Sequence, residues 1–324
     1  MVAIANATGH QRPVRAGVYE TVVIPLDGSQ LARRMLPHAL TLARAFDCRI
    51  HLVRATGATP IGQRWDQPAL SGTADEDADM TPAEAIAREA EGLRGSGLEV
   101  TATVKDGAAA DLIVEAAEAQ SAPLIAMATH GRSGLGRWLL GSVAEKVLQM
   151  SASPLLLVRS DSEINLTHSP FIARVVLALD GSQLAELAVS HAAAIAKKLR
   201  VPVTVLQVVR STDAVAGGHI SIEDEAIRDE AGEAEAPAVR RYLEETAERL
   251  RADGVVEVST QVITRFDAAD GILLGGGSSP NTLVVMTSRG LSGIKRWALG
   301  SVTSRVVSHG EGPVLVIRAG EGAG

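Results

Sequence analysis

Two short polar runs hold the residues best able to do chemistry, and each run occurs twice. Leu26-Asp27-Gly28-Ser29-Gln30-Leu31-Ala32 returns 153 positions later as Leu179-Asp180-Gly181-Ser182-Gln183-Leu184-Ala185. A carboxylate followed by glycine and a hydroxyl can orient a ribose, hold a phosphate-bound metal, or simply close an Asx turn or cap a helix. The second run, Gly131 to Val143 (GRSGLGRWLLGSV), returns 159 positions later as Gly290 to Val302 (GLSGIKRWALGSV). Gly131, Gly134 and Gly136 leave the backbone free to approach a ligand, and Arg132 and Arg137 add positive charge. Gly141-Ser142 precedes an expected helix whose N-terminal amides attract anions, and the Ser142 hydroxyl can donate to a phosphate oxygen or cap the helix. Alone, such a loop is a weak signal. Its recurrence with the same Gly-Ser-Val ending, each time paired with Leu-Asp-Gly-Ser, favours phosphate binding over turn chemistry.

Other candidates carry less. His130 lies beside Gly131 but is replaced by Arg289 in the second copy, which suits a polar contact to phosphate and not an essential acid-base residue. His38 and His191 read as ordinary helix residues, and no histidine pair has metal-ligand spacing. Trp138 and Trp297 read as anchors that pack the loop on its domain. Cys48, the single cysteine, excludes an intrachain disulfide and reads as a small apolar residue at a strand edge in place of a reactive thiol. The glycines at 275–277 are not followed by Gly-Lys-Ser/Thr, and no Gly-x-Gly-x2-Gly follows the first strand of either half.

The elements that must position these runs follow from composition and periodicity. At 324 residues, 46% apolar, the chain has room for two domains, each with its own core. Aromatics are only 2%, so the cores must be Val, Leu, Ile and Ala, which suits a parallel sheet covered by helices. A net charge of −7 argues against a nucleic-acid or anionic-membrane binder, and no apolar run is long enough to span a bilayer. With no visible signal peptide and one cysteine, a cytoplasmic location is expected. Strands are expected at Thr21–Leu26, Arg49–Arg54, Leu98–Lys105, Leu124–Thr129 and Pro154–Val158 in the first half. Their counterparts are Arg174–Leu179, Pro202–Val209, Val256–Thr264, Thr282–Thr287 and Val314–Ile317. Helices are expected over Leu31–Phe46, with Pro37 a point of bending or delayed start, and over Pro82–Leu93, Ala109–Ala119 and Val143–Met150. A short helix at Ala268–Leu274 should run into a flexible loop at Gly275-Gly276-Gly277. Residues 1–17 read as a mobile tail, and Thr56–Thr81 and Ser211–Pro237 as long acidic loops.

The βαβα alternation predicts an α/β fold: two tandem doubly wound domains, each a five-stranded parallel sheet of order 3-2-1-4-5 with helices on both faces. The expected bounds are 18–160 and 171–320, joined by a linker at 161–170. In that order the ends of strands one and four flank the switch point, so both repeated runs face one crevice.

Both halves resemble the universal stress protein domain. Nucleotide-binding members of that family carry Gly-x2-Gly-x9-Gly-Ser/Thr after the fourth strand. The match here is Ala128-x2-Gly131-x9-Gly141-Ser142 and Thr287-x2-Gly290-x9-Gly300-Ser301, with the first glycine replaced both times. The resemblance covers about residues 20 to 320 as a tandem pair. It implies an ATP site in each half. Asp27 and Asp180 would lie near ribose or a phosphate-bound magnesium, with Pro25 and Ala178 lining the crevice and the backbones of Val53 and Val208 meeting adenine. Met127, Ala128, His130, Gly131, Arg132, Gly141, Ser142 and Val143 would complete the first site. Met286, Thr287, Arg289, Gly290, Gly300, Ser301 and Val302 would complete the second. Fifth strands pair across the dimer in this family, which implies an internal pseudo-dimer of the two halves; a further homodimer and a protein partner stay open.

These features predict an ATP-binding, magnesium-assisted stress sensor or regulator. No water-activating glutamine or arginine finger is evident, so hydrolysis should be slow or absent. The rival readings are an interaction module with empty crevices and a slow ATPase.

Overall fold

The computed structural model describes residues 2–4, 18–57, 80–129, 140–159, 171–210, 230–288 and 300–318; within these, the side chains of 2–4, 30–31 and 230–236 are not described. In the first half, β1 (Val2–Ile4) and β2 (Thr21–Pro25) precede α1 (Gln30–Arg33), α2 (Leu36–Phe46) and β3 (Arg49–Thr56). Then come α3 (Pro82–Gly95), β4 (Val100–Asp106), α4 (Ala109–Glu118), β5 (Pro123–Ala128), α5 (Ser142–Met150) and β6 (Leu155–Val158). The second half runs β7 (Arg174–Leu179), α6 (Gln183–Leu199), β8 (Val203–Arg210), α7 (Glu230–Ala252) and β9 (Val258–Arg265). It closes with α8 (Ala268–Ile272), a π-helical turn (Leu273–Gly277), β10 (Thr282–Thr287), α9 (Ser301–His309) and β11 (Val314–Ile317). Among the described residues no helix is long and apolar enough to cross a membrane.

The inner strands are short, β-branched and apolar because helices cover them on both sides. Within each half the order is the expected 3-2-1-4-5: β4-β3-β2-β5-β6 and β9-β8-β7-β10-β11. The halves join edge to edge. β6 pairs antiparallel with β11, giving one eleven-stranded sheet, and the central pair of that ladder is Leu156 with Leu315. Those two leucines occupy equivalent positions of the repeat, so the junction has local twofold symmetry. One apolar cluster on each face of the sheet continues through both halves.

Helices α2 and α6 pack on each other across this junction. His38 and His191, equivalent in the repeat, do more than the ordinary helix role expected of them. Each meets an aromatic residue just before the first strand of the other half. His38 stands edge-on to Phe171 with ring centroids 5.8 Å apart. His191 lies 5.6 Å from the Tyr19 ring, and its Nδ1 is 2.6 Å from the Tyr19 hydroxyl. Burial lowers both imidazoles to about 4 and raises the Tyr19 phenol, so at neutral pH both partners of this hydrogen bond are uncharged.

Several expectations are corrected. The helix expected at Leu31–Phe46 is two helices. Pro37 stands in the first turn of α2, where its missing N–H costs nothing, and the chain breaks before it. Without a proline, α6 runs unbroken for 17 residues. The glycines 275–277 form a π-helical turn and not a loop. A β-carbon on Gly275 would come within 2.7 Å of Leu206 Cδ2, and Gly276 has φ +133°, so glycine lets this turn lie directly on the sheet. The acidic stretch expected as loop to Pro237 is helical from Glu230. Acidic residues suit a helix start because they complement its dipole, and α7 continues through Pro237. The rest of that stretch, 211–229, the loop residues 58–79, the linker at 160–170 and tail residues 5–17 lie outside the described residues. Val2–Ile4, where no element was expected, pairs antiparallel with β4.

Cys48 is buried, with its Sγ donating to Tyr19 O at 3.4 Å, and burial pushes the thiol up to about 12. A maleimide or aromatic disulfide reagent at pH 8 should therefore leave the native protein unlabelled and label it in urea. Rapid native labelling would contradict the burial.

Candidate functional site

In each half the strand order reverses between the first and fourth strands. β2 lies against β5, and β7 against β10. Both repeated runs begin at these carboxyl ends, so the strand ends that the crevice was expected to lie between are adjacent in both halves.

On one side stands the Asp-Gly-Ser turn. Asp27 Oδ1 accepts from Ser29 N (2.8 Å) and Ser29 Oγ (2.6 Å), and Ser29 Oγ accepts from Ala32 N (3.0 Å). The second half repeats this: Asp180 Oδ1 accepts from Ser182 N (3.0 Å) and Oγ (2.7 Å), and Ser182 Oγ caps Ala185 N (3.1 Å). Gly28 and Gly181 follow at φ +82° and +79°, the left-handed conformation that glycine adopts without strain. The turn thus builds the Asx geometry of the plainer reading and, by doing so, fixes each carboxylate at a strand end.

On the other side a helix begins. Gly141 N donates to Thr129 O (2.7 Å) and Gly300 N to Ser288 O (3.0 Å), so each glycine loop returns to the sheet at the same place. Gly141 and Gly300 are the N-caps of α5 and α9, and neither helix has a side-chain cap. Ser142 and Ser301 are exposed at the first helical position; Val143 and Val302 are half-buried behind them. Uncapped first-turn amides and a small hydroxyl form an end that accepts an anion.

Met127 and Met286 are buried in β5 and β10, and Ala128 and Thr287 end those strands. Positive φ among described non-glycine residues occurs at Asp47, Ala122 and Arg200, not at Ala128 or Thr287. The two replacements of glycine therefore carry no backbone strain. Thr287 O accepts from Thr303 Oγ1 at 3.1 Å, which ties the strand end to α9. His130, Gly131, Arg132, Arg289 and Gly290, with Trp138 and Trp297, lie outside the described residues.

Pro25 pairs with Val53, and Leu26 N donates to Val53 O at 2.9 Å. The register corrects one equivalence. Ala178, the counterpart of Pro25, is opposite Leu206, so Leu206 and not Val208 matches Val53. Val208 lies two residues further on, where it packs against Gly271. A residue missed by sequence reasoning is Arg54. It is buried in β3, and its guanidinium lies so close to Gly28 that a β-carbon there would collide with it. Its counterpart is Gln207, whose Nε2 would be 3.9 Å from a β-carbon on Gly181. A charged residue within an apolar strand was the available signal.

Among the described residues no group of three or more His, Cys, Asp or Glu is arranged to hold a metal. One carboxylate per crevice fits a hard cation that draws its remaining oxygens from phosphate and water. An open groove between α6 and α7, lined by Glu186, Tyr242, Glu245, Glu248 and Arg249, lies beside the Asp180 turn of the second half, and its excess of carboxylates does not suit a phosphate.

Comparison with known proteins agrees with this architecture. A model of the universal stress protein family matches residues 18–159 and 172–318. A universal stress protein of Methanocaldococcus jannaschii is 31% identical over 145 residues, 44% of this chain and 83% of that one. One from Mycolicibacterium smegmatis is 29% identical over 223 residues, 68% of this chain and 70% of its own. The crystal structure of a universal stress protein from Archaeoglobus fulgidus shares the fold, with a TM-score of 0.63 at 19% identity, covering 93% of this chain and 98% of that one.

Proposed function

Because the chain belongs to the universal stress protein family, we propose that its two crevices bind ATP, with magnesium carried by the phosphates, and that the protein acts as a nucleotide-dependent stress sensor or regulator. The observation that carries this reading is the juxtaposition, in both halves, of a fixed carboxylate turn with an uncapped helix N-terminus across the switch point. Asp27 and Asp180 would orient the ribose or the cation. The amides of α5 and α9, with Ser142 and Ser301, would hold phosphate oxygens. Hydrolysis in this reading is slow or absent, and the protein works in a reducing compartment such as the cytoplasm.

The Asx hydrogen bonds of Asp27 and Asp180 also favour a second reading, an interaction module whose turns are scaffolding. Calorimetric titration of magnesium-ATP into nucleotide-free protein separates the two. Ser142→Glu and Ser301→Glu place a carboxylate where phosphate would sit, while glutamate in a first helical turn favours the helix. Each is expected to weaken ATP binding in its own half by about tenfold or more without lowering the melting temperature. No heat and no thermal shift at millimolar ATP would leave the interaction module. Phosphate release above background, lost in Asp27→Asn, would instead identify a slow ATPase.

A further inference from the structure

The two outer edges of the sheet are treated differently. At one end β4 is covered by the antiparallel β1. At the other end lies its counterpart β9, eight residues long, and among the described residues no strand pairs its outer edge. Solitary edges are usually blunted by proline, lysine, a bulge or shortness. The run Val258-Ser259-Thr260-Gln261-Val262-Ile263-Thr264-Arg265 has no proline or lysine, and its ladder with β8 is unbroken over eight pairs.

The backbone orientation is known from the inner ladder. Val203 N donates to Glu257 O at 2.9 Å, so the odd-numbered residues of β9 turn their polar backbone groups towards β8. Val258, Thr260, Val262 and Thr264 turn theirs outward; Arg251 Nη2 donates to Val258 O at 3.0 Å and Arg265 Nη1 to Thr264 O at 3.1 Å, each taking one of the carbonyl's two lone pairs. An antiparallel copy of β9 centred on Gln261 would satisfy this edge in full, with Thr260 opposite Val262 and Val258 opposite Thr264. The same register sets Glu257 opposite Arg265, twice by symmetry. Just beyond the two ends of the strand, Val256 and Phe266 are 86% and 60% exposed, high for apolar groups in a chain with so few aromatics. The charge pairs and the backbone groups thus select the same register.

We propose that β9 is the interface of a twofold homodimer, in which the β9 strands of two copies pair antiparallel about Gln261. The chain already joins its own halves by an antiparallel edge pairing centred on equivalent residues, at Leu156 and Leu315. Because the opposite edge is covered by β1, the assembly closes at two copies and does not propagate.

Sedimentation equilibrium of the full chain tests this. The expected mass is twice 33.7 kDa. Arg265→Glu sets like charges face to face at both ends and should raise the dissociation constant at least about tenfold. Combining it with Glu257→Arg should restore the dimer, which a merely structural role for Arg265 would not produce. Thr260→Pro removes an outward N–H without touching the ladder to β8, so it should give a monomer with unchanged circular dichroism. A wild-type chain that stays at 33.7 kDa at millimolar concentration overturns the proposal. So does a dimer that survives Arg265→Glu, or one that the double charge reversal fails to restore.

Discussion

Between about pH 6.5 and pH 4 the protein is expected to lose several kcal/mol of stability through two histidines alone. His38 and His191 are neutral in the fold because burial lowers each to about 4, whereas in the unfolded chain they titrate near the ordinary value of 6.5. In that window the unfolded state binds more protons, so stability rises with pH. Their contribution is complete above the unfolded value and lost as pH falls towards the folded one. Each histidine accounts for up to about 3 kcal/mol. Protonation of His191 would also place a charge on the ring that hydrogen-bonds the buried Tyr19, at the contact between the halves. Urea midpoints at pH 7.5, 6 and 5 should fall steadily, and a His38→Leu, His191→Leu double variant should show a flatter acid limb. An acid limb identical in the double variant would assign the loss to other groups.

The Leu315→Asp substitution is expected to unfold the chain, and Leu156→Ala to cost about 2 to 5 kcal/mol. Both leucines are fully buried, face each other in the central pair of the β6–β11 ladder and belong to an apolar cluster that spans both halves. Truncating Leu156 to alanine would leave a cavity that the opposing strand cannot fill without shifting register. The carboxylate introduced by Leu315→Asp would sit where no partner exists among the described residues. Since the cluster is shared, urea unfolding followed by circular dichroism should show a single transition for the wild type and for Leu156→Ala, the latter at lower urea. Two transitions, only one of them moved by Leu156→Ala, would show that the halves are stabilised independently.

Much of the fold was legible because its signals are local. The β-branched runs, the alternation of strand and helix and the exact return of Leu-Asp-Gly-Ser point to a doubly wound parallel sheet in each half, and the tertiary structure then shows the order 3-2-1-4-5. Where local signals compete, the sequence misled. The expected single helix at Leu31–Phe46 is two, with Pro37 in the first turn of the second as its missing N–H allows. Gly275–Gly277 were read as a flexible loop, yet they form a turn kinked at Gly276, with Gly275 packed closely on Leu206. The acids before Pro237 suggested a loop, although they suit a helix start.

For the candidate site, the sequence by itself determined which residue types recur and at what spacing: Asp27 with Asp180, Gly141-Ser142 with Gly300-Ser301. It could not determine what stands beside them. That Leu206 and not Val208 matches Val53 depends on strand register, and register depends on which partners a strand finds across the sheet. That Arg54 lies against Gly28, with Gln207 in the same place in the other half, depends on two chain segments meeting from different strands. That His38 and His191 are contact residues between the halves depends on β6 finding β11, which brings α2 onto α6. Local preferences are set by a residue's near neighbours in the chain; side-chain contacts between the halves are set only when the sheet closes, and only the tertiary structure decides them.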